Sequence, residues 1–513
     1  MFIADVLVAQ GLATPEDLSA GRDLQRSRGG GLGDCLVELG RIRREDLDAV
    51  FQTAPAAPRS LADVDTSLAT LIGLLVKCVY AASVETASEI ADILLLPTNI
   101  VLELLEEAEQ RQLLAVVGAV RADLTSERRY ALTKGGVETA QTAMRRCEYI
   151  GPAPVSLDAY RAQIERQVIG HEHADQDAIN AAFDSLVVSK ELFTNLGPAI
   201  NSGRSILLYG PPGNGKTTIA GKIGTLFKDI VYVPHCFEVD GQIIKVFDPL
   251  VHKPVENQTA PVMRAFSAER ENFDRRWEAC RRPVITVGGE LTLEMLDLGF
   301  NPEAKFYEAP LHIKALGGVF LIDDFGRQLV TPKALLNRWI TPLEDRRDHL
   351  KLNSGKSFAL PFDELVVFAT NLSPKDLMDT AFLRRIPYKI EVPAPPTHVF
   401  RQIFAKIAAE FSVIVPESVL NHVTDEITRW KDISLAGYQP KFIIEQIQAA
   451  CRFAKAPFEF RPQFLHMALS NLHARDRSEV EAEEAEEAAV EAANGKADEG
   501  ADHAVRARKT GAA

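Results

Sequence analysis

Three apolar runs punctuate the middle of the chain, each closing on a glycine or a polar residue: Ile206–Tyr209 before Gly210, Val319–Ile322 before Asp323, and Leu365–Thr370 before Asn371. Short runs without apolar–polar alternation read as strands buried on both faces of a parallel sheet. Stretches with apolar positions at helical spacing lie before and between them. The pattern therefore predicts an α/β core with helices on both faces of a parallel sheet, followed by a smaller helical region in which Gly437-Tyr438-Gln439-Pro440-Lys441 opens a helix.

Ahead of that core the pattern is purely helical at first. Leu7-Val8-x-x-Gly11 with Leu18 recurs 29 residues later as Leu36-Val37-x-x-Gly40 with Leu47. Each copy predicts a short helix, a glycine turn and a second helix, with Thr14-Pro15-Glu16 opening the second helix of the first copy. From Thr66 to about Arg146 the order becomes three helices, two strands and a helix, with Thr98 at the start of the third helix. That third helix carries Glu103, Glu106, Glu107 and Glu109 against Arg111, while Arg121, Arg128 and Arg129 fall in the two-strand region. Ala54-Pro55-Ala56-Ala57-Pro58 and the segment from Tyr149 to Ser156 read as linkers. The resulting organisation is a helical repeat (1–53), a linker (54–65), a second module (66–148), a linker (149–155), the α/β core (156–395), a helical lid (396–475) and an acidic, Ala/Glu-rich tail (476–513) expected to be disordered.

The chemistry sits at the ends of the apolar runs. After Tyr209 comes Gly210-Pro211-Pro212-Gly213-Asn214-Gly215-Lys216-Thr217-Thr218, which fills every position of G-x-x-x-x-G-K-[ST] between a strand and a helix. Glycines let backbone N–H groups approach phosphate oxygens, and the helix N-terminus adds partial positive charge. Lys216 is placed for the β- and γ-phosphates and the Thr217 hydroxyl for Mg²⁺. The chain is thus expected to bind a nucleoside triphosphate with Mg²⁺ in a P-loop NTPase core. Asp323 closes the second run and suits the Mg²⁺ shell; Asp324 stands where a water-polarising base is needed. Asn371 closes the third run, where an amide can hold the attacking water. Arg384 and Arg385 follow as an adjacent pair.

In this order the set resembles the AAA+ ATPases, over Ser156 to Leu472. The resemblance implies Walker A at 210–218, Walker B at Asp323 and Asp324, sensor 1 at Asn371, an arginine finger at Arg384 or Arg385, and sensor 2 at Lys441. It also implies a homo-oligomeric ring, most often a hexamer, because the finger comes from the neighbouring subunit. His349–Leu360, turning at Ser354-Gly355, reads as a hairpin like the pre-sensor 1 hairpin of the chaperone and MoxR-like branches. Asp324 is one methylene shorter than the family's usual Glu, and Lys441 lacks the planar fork of the usual Arg. No aromatic–hydrophobic–Gly pore loop follows the second strand.

The amino-terminal repeat resembles the MshEN-type domain of type II secretion and type IV pilus ATPases, in which each copy opens on Arg-Leu-Gly and can bind cyclic di-GMP. Here the openings are Phe2-Ile3-Ala4 and Gly31-Leu32-Gly33. Both guanine-facing arginines are absent, which argues against cyclic di-GMP and for docking a protein, such as a pilus or secretion component. The second module resembles a winged helix-turn-helix, but a third helix bearing four glutamates would be repelled by duplex phosphates. That favours protein docking over DNA.

Composition changes little. The 513 residues are 46% hydrophobic and 25% charged, with a net charge of −14 that disfavours non-specific nucleic-acid binding. No run predicts membrane insertion, and six scattered cysteines without a C-x-x-C pair suit reduced thiols in a cytoplasmic protein. From Arg264 to Arg282, Arg and Glu interleave with Phe266, Phe273 and Trp277, predicting a solvated helix with i,i+4 ion pairs. The leading reading is a ring-forming AAA+ ATPase that remodels a protein partner. The alternative is an ATP-switched, DNA-associated regulator using the winged helix.

Overall fold

The five strands of the central sheet are β1 (Ile206–Tyr209), β2 (Val284–Val287), β3 (Val319–Ile322), β4 (Leu365–Thr370) and β5 (Tyr388–Glu391). They lie in the order β5-β1-β4-β3-β2, and every neighbouring pair is parallel. The structure, a computed structural model, describes residues 3–28, 31–119, 127–171, 174–187, 189–227, 229–255, 273–377, 380–430 and 433–473. The expectations for Arg121, for Arg264 to Glu271 and for the acidic tail fall outside these residues.

Alternate residues of the strands feed two separate cores, as the pleat requires. Ile206, Leu208, Val319, Leu321, Leu365, Val367 and Ala369 pack with Ile179, Phe183, Leu196, Ile200, Ile219 and Ile223. These last come from helices Gln176–Phe183, Lys190–Asn201 and Lys216–Gly224. Leu207, Phe320, Ile322, Val366 and Phe368 face the other way, onto Leu335, Leu336, Trp339 and Phe382. Apolar side chains on both faces explain why β1, β3 and β4 show no polar alternation. The core is therefore a parallel sheet covered by helices on both sides, the P-loop NTPase arrangement.

The chain divides into two compact units, Met1–Pro211 with Lys216–Val392, and Pro212–Gly215 with Pro393–Ala513. In the first, a large insert separates helix Lys216–Gly224 from β2. Its strands Cys236–Val239 and Gln242–Lys245 join Val155–Ser156, Phe306–Glu308 and Gly299–Asn301 in a second five-stranded sheet. The part of the expected helix that falls within residues 273–282 is instead a turn and a strand. Trp277–Arg281 pairs antiparallel with Ile230–Pro234, burying Trp277, Ala279 and Cys280. Arg276 is not a solvated i,i+4 partner: it is 4% exposed, bonded through Nη2 to Asp274 Oδ2 at 2.7 Å, and donates to Pro154 O at 3.1 Å. Charge spacing imitated a helix face because it does not record which charges find partners elsewhere in the chain.

The helical repeat, Ile3–Ala9, Pro15–Arg28, Leu32–Glu38 and Arg44–Thr53, shares its core with the insert. Leu7, Leu18, Leu36 and Leu47 belong to one cluster with Tyr160, Tyr232, Phe237 and Trp277. The segment after it is ordered, with Asp274 N–H bonding Pro55 O at 3.0 Å. Helices Leu68–Ala81, Ala87–Leu94 and Thr98–Gln110, the ladder of Leu114–Ala119 with Arg128–Leu132, and helix Lys134–Arg146 follow. In the ladder Arg129 is ion-paired with Glu85. Strands Arg347–Lys351 and Ser357–Pro361 form an antiparallel hairpin whose Leu350, Phe358 and Leu360 are buried in the cluster that holds the repeat. The second unit has helices Thr397–Glu410, Glu417–Arg429, Gln439–Phe453 and Pro462–His473 around Phe400, Phe404, Val423, Ile443 and Ile447.

Candidate nucleotide site

The site grows from the carboxyl ends of β1, β3 and β4. Beyond Tyr209 the chain must turn within one residue, since Val392 runs alongside: a Cβ on Gly210 (φ +140°) would stand 2.3 Å from Val392 O. Gly213 and Gly215 take φ +75° and +81°, values open to glycine and costly to residues with a Cβ. An added Cβ at Gly215 meets nothing within 4 Å, so its backbone faces open space. The loop apex has its own supports in the second unit: Tyr438 N–H donates to Gly213 O at 3.0 Å, and Gly437 N–H to Asn214 Oδ1 at 3.2 Å. Asn214 Nδ2 is buried without a hydrogen-bond partner among the described residues.

Lys216 begins the helix and is 7% exposed; its Nζ donates to Gly210 O at 2.9 Å and Pro211 O at 2.7 Å. Burial lowers its pKa, and the charges of Asp323 and Asp324 pull the other way. Thr217 Oγ1 lies 3.0 and 2.9 Å from the two carboxylate oxygens of Asp323. Thr218, on the same first turn, is exposed. Asp323 is fixed by its own N–H, which donates to Val287 O on β2 at 2.8 Å. Asn371 Nδ2 donates to Asp324 Oδ1 at 3.3 Å, so the residues ending β3 and β4 meet. A hydroxyl and a carboxylate side by side are the hard oxygen donors Mg²⁺ takes, and open glycine backbone beside a buried ammonium suits phosphate. The residues fit both groups.

The other expected site residues are placed differently. Arg385 is largely buried, its Nε 2.7 Å from Glu344 Oε1 and its guanidinium 5.5 Å from the Phe382 ring centroid. Arg384 is exposed and has no ion pair among the described residues. Lys441, 62% exposed on helix Gln439–Phe453, has Glu445 Oε1 at 3.8 Å. Sequence reasoning passed over Gly326, Gln328 and Thr370, which hold the turn bearing Asp324. Only Gly326, two residues past the acids, left a signal.

Residues 396–471 match a family described as "Domain of unknown function (DUF8689)". No curated protein matches the chain. Among solved structures, the chain is similar to the Thermotoga maritima RuvB Holliday junction branch migration motor, at 15% identity and TM-score 0.31, covering 62% of this chain and 72% of that one. It is also similar to NtrX from Brucella abortus in complex with ADP, at 15% identity and TM-score 0.32, covering 62% of each chain. Domain III of the Thermotoga maritima replication initiation protein DnaA matches at 14% identity and TM-score 0.32, over 58% of this chain and 98% of that one. The class assigned to the core rests on the chain's own loop, strand order and paired acids.

Proposed function

We propose that the chain is an AAA+ ATPase that hydrolyses ATP in a ring of copies, six by the family pattern, and couples the reaction to remodelling a protein partner recruited by its amino-terminal modules. The observation that carries the reading is the pair of contacts Thr217–Asp323 and Asn371–Asp324 at the ends of adjacent parallel strands, beside a complete phosphate loop. The loop N–H groups and Lys216 bind the triphosphate. Thr217 and Asp323 would hold Mg²⁺, which when bound neutralises charge on the phosphate oxygens. Asp324 accepts the proton of the attacking water, and the Asn371 amide orients that water. Arg385 is committed to Glu344, so exposed Arg384 is assigned the finger acting on a neighbouring copy. A finger accelerates hydrolysis by about 10³–10⁵.

Phosphate release measured across a dilution series tests the assembly. Turnover per chain is expected to rise with protein concentration, and Arg384→Ala should remove that rise while leaving MgATP binding intact. Full turnover in a dilute, strictly monomeric sample would overturn it. The remodelled protein can be sought by affinity capture with Asp324→Asn, a variant expected to hold ATP without hydrolysing it.

A further inference from the structure

Asp324 sits at φ +47°, in the left-handed region that residues with a Cβ rarely enter. Its turn is over-determined by bonds from residues outside the motif set. Phe325 N–H donates to Ala369 O on β4 at 2.7 Å, and the buried Thr370 hydroxyl donates to Phe325 O at 2.6 Å. The same hydroxyl accepts the Leu372 N–H at 3.1 Å. On the other side of the turn, Gln328 Nε2 donates to Asp323 O at 2.8 Å while Gln328 Oε1 accepts the Gly326 N–H at 2.8 Å. Arg327 N–H closes the turn on Asp324 O at 3.0 Å. Gly326 (φ +107°) lets the chain pass Leu372 and Leu377, whose Cδ1 atoms would each be 2.8 Å from an added Cβ.

We propose that Thr370 and Gln328 are positioning residues that clamp the Walker B turn to the sensor 1 strand and so aim the carboxylate of Asp324 for hydrolysis. Thr370 precedes Asn371 directly, and its hydroxyl grips the residue that directly follows Asp324. One side chain therefore fixes the spacing of the two polar groups that face the water. Gln328 straddles the turn from Asp323 to Gly326, leaving the strained residue between no freedom to relax. An acid one methylene shorter than Glu has less reach to spare, which makes its backbone placement the quantity to control. The inference rests on the reading of this site as an ATP hydrolase, and it separates positioning from binding, because the side-chain hydrogen bonds of both braces go to the turn and to Leu372 and not, among the described residues, to the phosphate loop.

The test uses the full chain with MgATP affinity, kcat and melting temperature measured together. Thr370→Val and Gln328→Met are each expected to lower kcat about ten-fold, with affinity within about two-fold of wild type; a misplacement near one ångström is enough to produce such a loss. Thr370→Ser, which keeps the hydroxyl, should restore kcat to within about two-fold of wild type. Adding Thr370→Val to Asp324→Asn should cost no further activity, since the brace acts through that carboxylate. An unchanged kcat in both brace variants, a matching loss of affinity and melting temperature, or a failure of Thr370→Ser to restore turnover would each overturn the brace. A wild-type chain that binds no MgATP would instead overturn the site reading beneath it.

Discussion

At the residue scale, a buried charge network joins Asp348, His312 and Arg338. Asp348 is 0% exposed, with His312 Nε2 2.7 Å from its Oδ2 and Arg338 Nη1 2.6 Å from its Oδ1. Burial pushes its pKa up, but the hydrogen bonds from His312 and Arg338 outweigh that and hold it at about 2, below the ordinary 3.8. A carboxylate with a depressed folded pKa stabilises the fold above its unfolded value and loses that contribution as pH falls through the folded one. The window is therefore from about pH 4 down to about pH 2, and the contribution is on the order of 2 kcal/mol. Asp348→Asn should flatten the stability-against-pH curve in that window; an unchanged acid limb in a melting series would contradict it. Lys216→Met is expected to weaken MgATP binding at least about ten-fold, because on the proposed reading it removes the buried ammonium that binds the phosphates, with titration calorimetry as the check.

The same scale shows what a sequence reveals and what it withholds. Lys216, Thr217, Asp323, Asp324 and Asn371 were legible because strand ends and a glycine loop are local patterns, and parallel packing brings strand ends together. Thr370 and Gln328 were not. A threonine inside an apolar strand and a glutamine in a turn carry no local mark of the bonds they make to residues on neighbouring segments. Arg384 and Arg385 look equivalent in the sequence, yet Arg385 pairs with Glu344, which is distant along the chain.

At the element scale, three of the five core strands, Ile206–Tyr209, Val319–Ile322 and Leu365–Thr370, followed from uninterrupted apolar runs, and the hairpin from alternation around Ser354-Gly355; Val284–Val287 and Tyr388–Glu391, short and interrupted by polar residues, did not. The strand Trp277–Arg281 did not, because its charges fit helical spacing while its buried residues fit a sheet. Helix Lys134–Arg146 is held differently. Thr133 Oγ1 caps it by accepting the Gly136 N–H at 3.0 Å, and a Cβ on Gly136 would sit 2.0 Å from Leu113 O. That oxygen also accepts the Thr133 N–H at 3.0 Å, so it has little room to yield. Gly136→Ala is expected to cost about 1–3 kcal/mol through this clash, read as reduced hydrogen-exchange protection in the helix. Protection equal to wild type would show that the ladder can shift.

At the scale of the whole molecule, the first unit binds the amino-terminal repeat into its fold. Ile3, Leu7, Leu36 and Leu47 share one cluster with Tyr160 of helix Leu157–Arg166 and with Phe237 and Trp277 of the insert, and Thr53 O accepts Gln163 Nε2 at 2.8 Å. Removing residues 1–53 would expose this face, so the shortened chain is expected to melt earlier and to aggregate. A truncated protein with native melting behaviour would show that the repeat is detachable. The sequence marked the repeat but not its partner, because the matching apolar face comes from an insert far along the chain.

On the proposed reading, the loop and the two strand ends form an ATP-hydrolysing site in which Asp324 takes the proton. Binding and turnover of MgATP measured side by side on wild type and Asp324→Asn test it most directly. The variant is expected to bind MgATP within about three-fold of wild type yet to release phosphate at least about 10²-fold more slowly, through loss of a general base. Equal turnover in the two proteins, or no MgATP binding by wild type, would contradict it.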